Sequence, residues 1–219
     1  MKYIVVLSGG MDSATLLYDL AQQRAAVRAL SVDYGQRHVR ELGCAQLLCS
    51  LLGVEHRLVD LAGLRPLLAG SSQTDDTVAV PEGHYAEESM KLTIVPNRNM
   101  ILLALAGAWA ISTKSDAIAY AAHAGDHAVY PDCREKFVSA LAQALHLADW
   151  HSVAIVRPYI SLTKADIVRR GITLGVPYQH TWSCYKGGAV HCGKCGTCTE
   201  RREAFELAGS KDPVLYEEG

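Results

Sequence analysis

The sequence predicts an α/β fold: a parallel sheet flanked by helices, with a small metal-binding segment near the C-terminus. Three observations predict it. Short apolar runs alternate with helical patterns along most of the chain, the signature of strand–helix units in layers. The first apolar run, 3–7, passes through a Gly-Gly turn directly into a helical pattern. Four of the seven cysteines cluster between positions 184 and 198. With 219 residues, 49% of them apolar, the chain is long enough to bury one sizeable core. The expected division is a main α/β unit over 1–180 and a metal-binding loop with a C-terminal helix over 181–219.

Each element follows from its own stretch. Residues 2–7 are one lysine followed by five apolar residues, a buried strand. A helix over 13–23 and a strand over 27–32 follow, then a helix over 37–52 ended by Gly53. The third strand is expected at 55–59, and 61–68 suits a short helix broken by Pro66. Residues 69–91 mix Ser, Thr, Asp, Gly and Pro without a period, and a loop this long suits a lid or specificity segment. Residues 97–111 form the most apolar helix, followed by a strand at 117–120. A helix over 132–147, with Asp132 as its N-cap, precedes the last core strand at 152–156. Residues 164–170 make a short helix ended by Gly171.

Ser8-Gly9-Gly10-Met11-Asp12-Ser13 joins the first strand to the first helix and suits a phosphate group. Glycines let backbone approach an anion and supply left-handed torsions. First-turn amides and the positive end of the helix dipole then face that anion, and Ser8 and Ser13 add hydroxyl donors. Asp12 would repel a phosphate unless a cation lies between them, which points to Mg²⁺ with oxygen ligands. The Walker loop and the dinucleotide fingerprint are both excluded, because GxxxxGK[ST] and GxGxxG are absent. The alternative is an ordinary strand-to-helix turn capped by Ser or Asp. SGGxDS resembles the pyrophosphate loop of the N-type ATP pyrophosphatases. The resemblance implies that ATP is cut between its α and β phosphates, and that 8–13 with Ala14 and Thr15 bind ATP.

Cys184, Cys192, Cys195 and Cys198 are spaced C-x₇-C-x₂-C-x₂-C. Two-residue gaps turn successive thiolates toward one ion, and four thiolates complete a tetrahedral Zn²⁺ shell at about 2.3 Å. An iron–sulfur cluster is the competitor, since it too takes four cysteines. His180 and His191 could each stand in for one thiolate, although His191 abuts Cys192. A zinc with every ligand from protein would staple a loop and do no chemistry. Cys44 and Cys49 read as small core residues of a helix.

Further polar groups stand at the carboxyl ends of predicted strands, where ligands of open α/β sheets gather. Asp33-Tyr34-Gly35-Gln36-Arg37-His38 follows the second strand, and His123-Ala124-Gly125-Asp126 follows the fourth. Arg98 opens the apolar helix and is either a solvated cap residue or a donor to phosphate or carboxylate. Asp132 is a cap or, with Arg134, a clamp for an anionic or purine-like substrate. Lys164 can supply the cation that the Gly-Gly loop lacks.

LSGGMDSATLL, DYGQRH, VPNRN, YPDCR, LTKADIV and TWSCY…HCGKCGTC…RREAF occur in that order through nearly the whole chain. Together they resemble the 7-cyano-7-deazaguanine synthase family of the queuosine precursor pathway. That resemblance implies a Rossmann-like, adenine nucleotide alpha hydrolase-like fold and a ligase acting on 7-carboxy-7-deazaguanine, ATP and ammonia. An acyl-adenylate and an amide would precede the nitrile, with AMP and pyrophosphate released. It implies catalytic roles for Asp12 and Lys164, and contacts to substrate or phosphates for Arg37, Arg98, Asp132 and Arg134. It also implies one structural Zn²⁺, Mg²⁺ with ATP, and a homodimer. One departure is visible: after YPDCR the family more usually carries an acid where Lys136 stands, so no role goes to an acid there.

A net charge of −2 without a basic run argues against a large nucleic-acid surface. No secretory leader is read at the start, and the best apolar stretch, 100–111, is too short to span a membrane. The clustered, odd-numbered cysteines suit the cytoplasm. Two rivals stand beside the ligase. A tRNA thiolase of the same superfamily would want a reactive cysteine near the loop, for which Cys133 is the nearest fit. A zinc-ribbon binding protein would need no phosphate loop.

Overall fold

The computed structural model describes residues 1–84, 88–126 and 130–217. Five parallel strands form one sheet: β1 (Lys2–Val6), β2 (Ala26–Asp33), β3 (Glu55–Asp60), β4 (Ala117–Ala119) and β5 (Ala154–Val156). Their order is β3-β2-β1-β4-β5, so the chain winds outward one way from β1 and then the other. Such a reversal opens a crevice at the carboxyl ends of the central strands. In register, Tyr3 pairs with Val27 on one side and Ala117 on the other.

Alternation along β1 separates two cores, because successive side chains point to opposite faces. Ile4 joins Leu30 and Ile118 under α3 (Arg98–Ser112) and α4 (Glu135–Ala148), which contribute Leu103, Ala106 and Leu141. The other face holds α1 (Met11–Gln22), α2 (Arg40–Leu52), α5 (Lys164–Thr173) and α6 (Gly196–Leu207). There Met11, Leu17, Leu48, Val168 and Phe205 pack together, so the C-terminal helix shares the core of the first. Gly53 ends α2 with φ +64, as its sequence position predicts.

Several expectations shift, among them the helix start at 37, which falls at Arg40, and the strand start at 152, which falls at Ala154. α1 begins at Met11, inside the Gly-Gly motif, so Asp12 lies in its first turn. α4 begins at Glu135 with Arg134 at its N-cap position, and Asp132 is not that helix's cap. Asp132 lies in the 3-10 turn Pro131–Cys133, and its Oδ2 accepts from the amide of Asn99 at 3.2 Å, capping α3 through space. Gly171 does not end its helix, which runs on to Thr173. A Cβ there would lie 1.8 Å from the phenolic oxygen of Tyr178, so this glycine admits a close packing partner. The apolar stretch around α3 is longer than expected: Met90–Ser112, with mean hydropathy 1.3, is long and apolar enough to span a bilayer by composition. The fold divides it between the 3-10 turn Glu88–Thr93 and α3, whose Leu103, Ala106 and Ala110 lie in the core.

Candidate active site

A cleft of about 220 Å³, open to solvent, lies over the carboxyl ends of β1, β2 and β4. Val6, Leu30 and Ala122 line it together with polar residues such as Ser8, Asp12 and Arg98. Ligand pockets commonly combine these features.

The Gly-Gly turn forms one wall. Gly9 has φ +86, and a Cβ on it would lie 2.0 Å from the carbonyl oxygen of Glu41, so only glycine satisfies both constraints. Ser8 and Ser13 hold each other at 3.0 Å between hydroxyls, while Gly10 donates to Ser8 Oγ at 3.3 Å. The loop is therefore arranged by its own hydroxyls before any ligand arrives. Ser8, Gly10, Met11, Asp12 and Ser13 line the cleft. Ala14 faces the core instead, and Thr15 bonds the carbonyl of Met11 at 2.7 Å and the phenol of Tyr178 at 2.8 Å.

Opposite this loop, Lys164 reaches in from the first turn of α5, with 15% of its side chain exposed. Its Nζ lies 3.3 Å from Asp12 Oδ2 and 2.5 Å from Glu200 Oε2. Burial works against the ammonium, but Asp12, Glu200 and Asp126 hold its pKa above lysine's ordinary value. Asp12 Oδ1 is buried without a hydrogen-bond partner among the described residues. An orphaned carboxylate oxygen beside this Gly-Gly turn fits an oxygen-coordinated cation. Thr163 places Lys164 by starting α5 with a capping box, its hydroxyl accepting from the amide of Asp166 at 3.2 Å.

The far end of the cleft is aromatic and cationic. The Arg98 guanidinium lies 5.8 Å from the Tyr130 ring centroid, with Tyr34 and Tyr185 also lining the cleft. Burial opposes its charge, yet the hydroxyls of Tyr34, Tyr185 and Tyr130 and the carboxylate of Asp132 hold it protonated. Cys133 lines the same end, where burial pushes its thiol up to about 12. A thiol held protonated is a poor nucleophile, which weighs against thiolase chemistry at this position. Arg37 is not among the lining residues; its guanidinium donates to the carbonyls of Asp75 at 3.0 Å and Val78 at 3.1 Å. It thereby pins the described part of the loop expected to act as a lid. Arg134 is exposed and also outside the lining.

Cys184, Cys192, Cys195 and Cys198 are all buried, their sulfurs within 4.8 Å of one another. A tetrahedral shell with bonds of about 2.3 Å needs sulfurs just under 4 Å apart, and those of Cys192 and Cys198 are 4.0 Å apart. Backbone amides of Lys194 and Cys195 donate to Cys192 Sγ at 3.5 and 3.3 Å, as they would to a thiolate. The four can hold a metal ion. His191 takes another role: its Nε2 accepts from the amide of Ser183 at 3.1 Å, and its ring lies 4.4 Å from that of Trp182. The cysteine loop also buttresses the cleft, since the Trp182 amide donates to the Gly9 carbonyl at 3.0 Å. Arg201, fully buried on α6, donates to Thr181 and Ser183 at 2.8 and 3.2 Å.

Tertiary structure thus gathers Asp12, Lys164, Arg98 and Asp132 around one cleft or its edge, and adds Glu200, which carries no local signal, and Arg201, to which RREAF assigned no role. Asp126 is marked in the sequence by following a strand end, and His38 by that and by the DYGQRH motif.

The sequence matches the family described as Queuosine biosynthesis protein QueC over residues 2–209. A 7-cyano-7-deazaguanine synthase of Methanoregula boonei is 56% identical over 99% of this chain and 100% of that protein. Another, from Caldicellulosiruptor bescii, is 52% identical over 99% and 98%. Among solved structures, a U34-tRNA thiolase of Methanococcus maripaludis shares the fold with a TM-score of 0.53 at 16% identity, covering 99% of this chain and 74% of that one. An NMN synthetase of Francisella tularensis does so with 0.53 at 18%, covering 95% and 77%.

Proposed function

The chain belongs to the QueC family of queuosine biosynthesis proteins, and on that premise we propose that it joins ammonia to 7-carboxy-7-deazaguanine to make the 7-cyano product, converting ATP to AMP and pyrophosphate. The observation that carries this reading is Lys164 at 3.3 Å from Asp12, facing the self-bonded Gly-Gly turn across one cleft. A carboxylate resists ammonia because oxide is a very poor leaving group. Transfer of AMP to the carboxylate supplies a better one, and the barrier is then charge on the phosphates. Amides of the first turn of α1 and the Lys164 ammonium meet that charge in a partly dehydrated site. Asp12, with its unpartnered oxygen, is the residue that would hold Mg²⁺, whose contribution is to neutralise phosphate charge. Arg98 is assigned to the acid or its developing phosphate ester, with Asp132 capping the helix that Arg98 opens.

The four thiols are assigned to one Zn²⁺ that staples residues 181–219 against the phosphate loop formed by the rest of the chain. The same reading includes a cytoplasmic homodimer, which sedimentation at several concentrations would test. The function is tested by mass spectrometry of products from purified protein, acid, ammonium and ATP. Nitrile with AMP is the expected result. Release of ADP and orthophosphate alone would overturn it, and an amide end product would shorten the reaction by one activation.

A further inference from the structure

His38 and Glu41 stand at the entrance to α2, both lining the cleft and only 5% and 8% exposed. His38 Nε2 lies 3.4 Å from Glu41 Oε1. Glu41 is itself fixed, because Gln36 Nε2 donates to the same oxygen at 3.1 Å. Gln36 in turn donates to the carbonyl of Val32 at 3.2 Å and accepts from the Tyr34 amide at 2.9 Å. A ring nitrogen facing a carboxylate keeps its proton, which leaves the other nitrogen as an acceptor. That other nitrogen, Nδ1, is buried and finds no hydrogen-bond partner among the described residues. The Tyr185 ring, 5.3 Å from the imidazole centroid, packs on one side. The pair also adjoins the phosphate loop, since the Glu41 carbonyl is the atom that a Cβ on Gly9 would strike.

We propose that His38, oriented by Glu41, is the base that takes the proton from nitrogen when ammonia displaces AMP. The inference rests on the ligase reading above. In this step the ammonia nitrogen bonds to the acyl carbon and the carbon–oxygen bond to the adenylate breaks. AMP leaves with that electron pair, and a proton on the new amide nitrogen passes to His38 Nδ1. Formation of the adenylate moves no proton, because both carboxylate and nucleotide react already ionised. His38 is therefore needed after the first step and not during it.

That difference makes the test. Isotopic exchange of pyrophosphate into ATP, with the deazaguanine acid present and ammonia absent, reads adenylation alone. Amide plus nitrile formed with ammonium reads the later step. For His38→Gln, exchange is expected to stay within about threefold of the unaltered chain while product formation falls about 10²–10⁴-fold. Glu41→Gln should show the same split to a smaller extent. Should His38→Gln fail to fold, the split in Glu41→Gln decides alone. Parallel loss of exchange and product, or undiminished product in both variants, would overturn the assignment. Absence of exchange in the unaltered chain would instead overturn the ligase reading, and this inference with it.

Discussion

Gly9→Ala perturbs the Gly-Gly turn at its least forgiving point, and Gly53→Ala supplies the control. Both glycines have positive φ, +86 and +64. Only Gly9 is also hemmed in: its added Cβ would lie 2.0 Å from the Glu41 carbonyl and 3.0 Å from the Ala45 amide nitrogen, whereas Gly53 faces open space. A left-handed torsion costs an ordinary residue about 1–2 kcal/mol. Forcing an extra carbon into packed backbone adds about 1–3 kcal/mol. Gly9→Ala is thus expected to lose about 2–5 kcal/mol, and Gly53→Ala about 1–2. At about 2–4 °C per kcal/mol for a chain of this size, the drops in Tm are about 4–20 °C and 2–8 °C. Thermal unfolding followed by circular dichroism measures both. AMP release should fall about 10²-fold in folded Gly9→Ala, since displacing a loop by about 1 Å is enough to do so, and stay unchanged in Gly53→Ala. Equal Tm losses, or a fully active Gly9→Ala, would refute the view that this turn is held against α2 by the absence of a side chain.

Asp12→Ala should abolish AMP release with little change in Tm, because Lys164 keeps Glu200 as a partner; retained turnover would remove Asp12 from the site. Lys164→Met should lower AMP release by about 10²-fold or more, as expected when a charge-stabilising donor is lost. Cys195→Ser should reduce bound metal and Tm together, because a protein-filled metal shell contributes folding energy; elemental analysis beside calorimetry checks it. Asp19 gives a pH signature. Burial raises its pKa, but Arg170, bonded at 2.7 and 2.8 Å, together with Gln23 and Tyr159, brings it below the usual carboxylate value. Its contribution is therefore complete above about pH 4 and is lost as pH falls through the depressed folded value. Acid unfolding of Asp19→Asn should show a shallower dependence below about pH 4 than the unaltered chain, and identical slopes would discount this pair.

Local chemistry made much of this protein legible. Strand–turn–helix at 3–23, the two-residue gaps between Cys192, Cys195 and Cys198, and the Gly53 stop all lie within contiguous residues whose spacing alone dictates a torsion or a ligand angle. The parallel layered plan followed as well, from the alternation of apolar runs and helices, whereas the order β3-β2-β1-β4-β5 came from the tertiary structure. Misreadings arose where a residue answers to a distant partner. Asp132 has the look of a local cap and caps a helix 33 positions earlier. Gly171 has the look of a stop and is a seat for Tyr178.

Sequence by itself determined the Gly-Gly strand-to-helix turn, the four-thiol cluster and the layered α/β plan, because each depends on backbone geometry over a few neighbouring residues. Only the tertiary structure decided that Glu200 holds Lys164 from 36 positions away, that Arg37 pins a loop instead of lining the cleft, and that Glu41 faces His38 beside the Gly-Gly turn. Those pairings depend on how helices are set over the sheet, and burial of side chains from every element at once sets that packing.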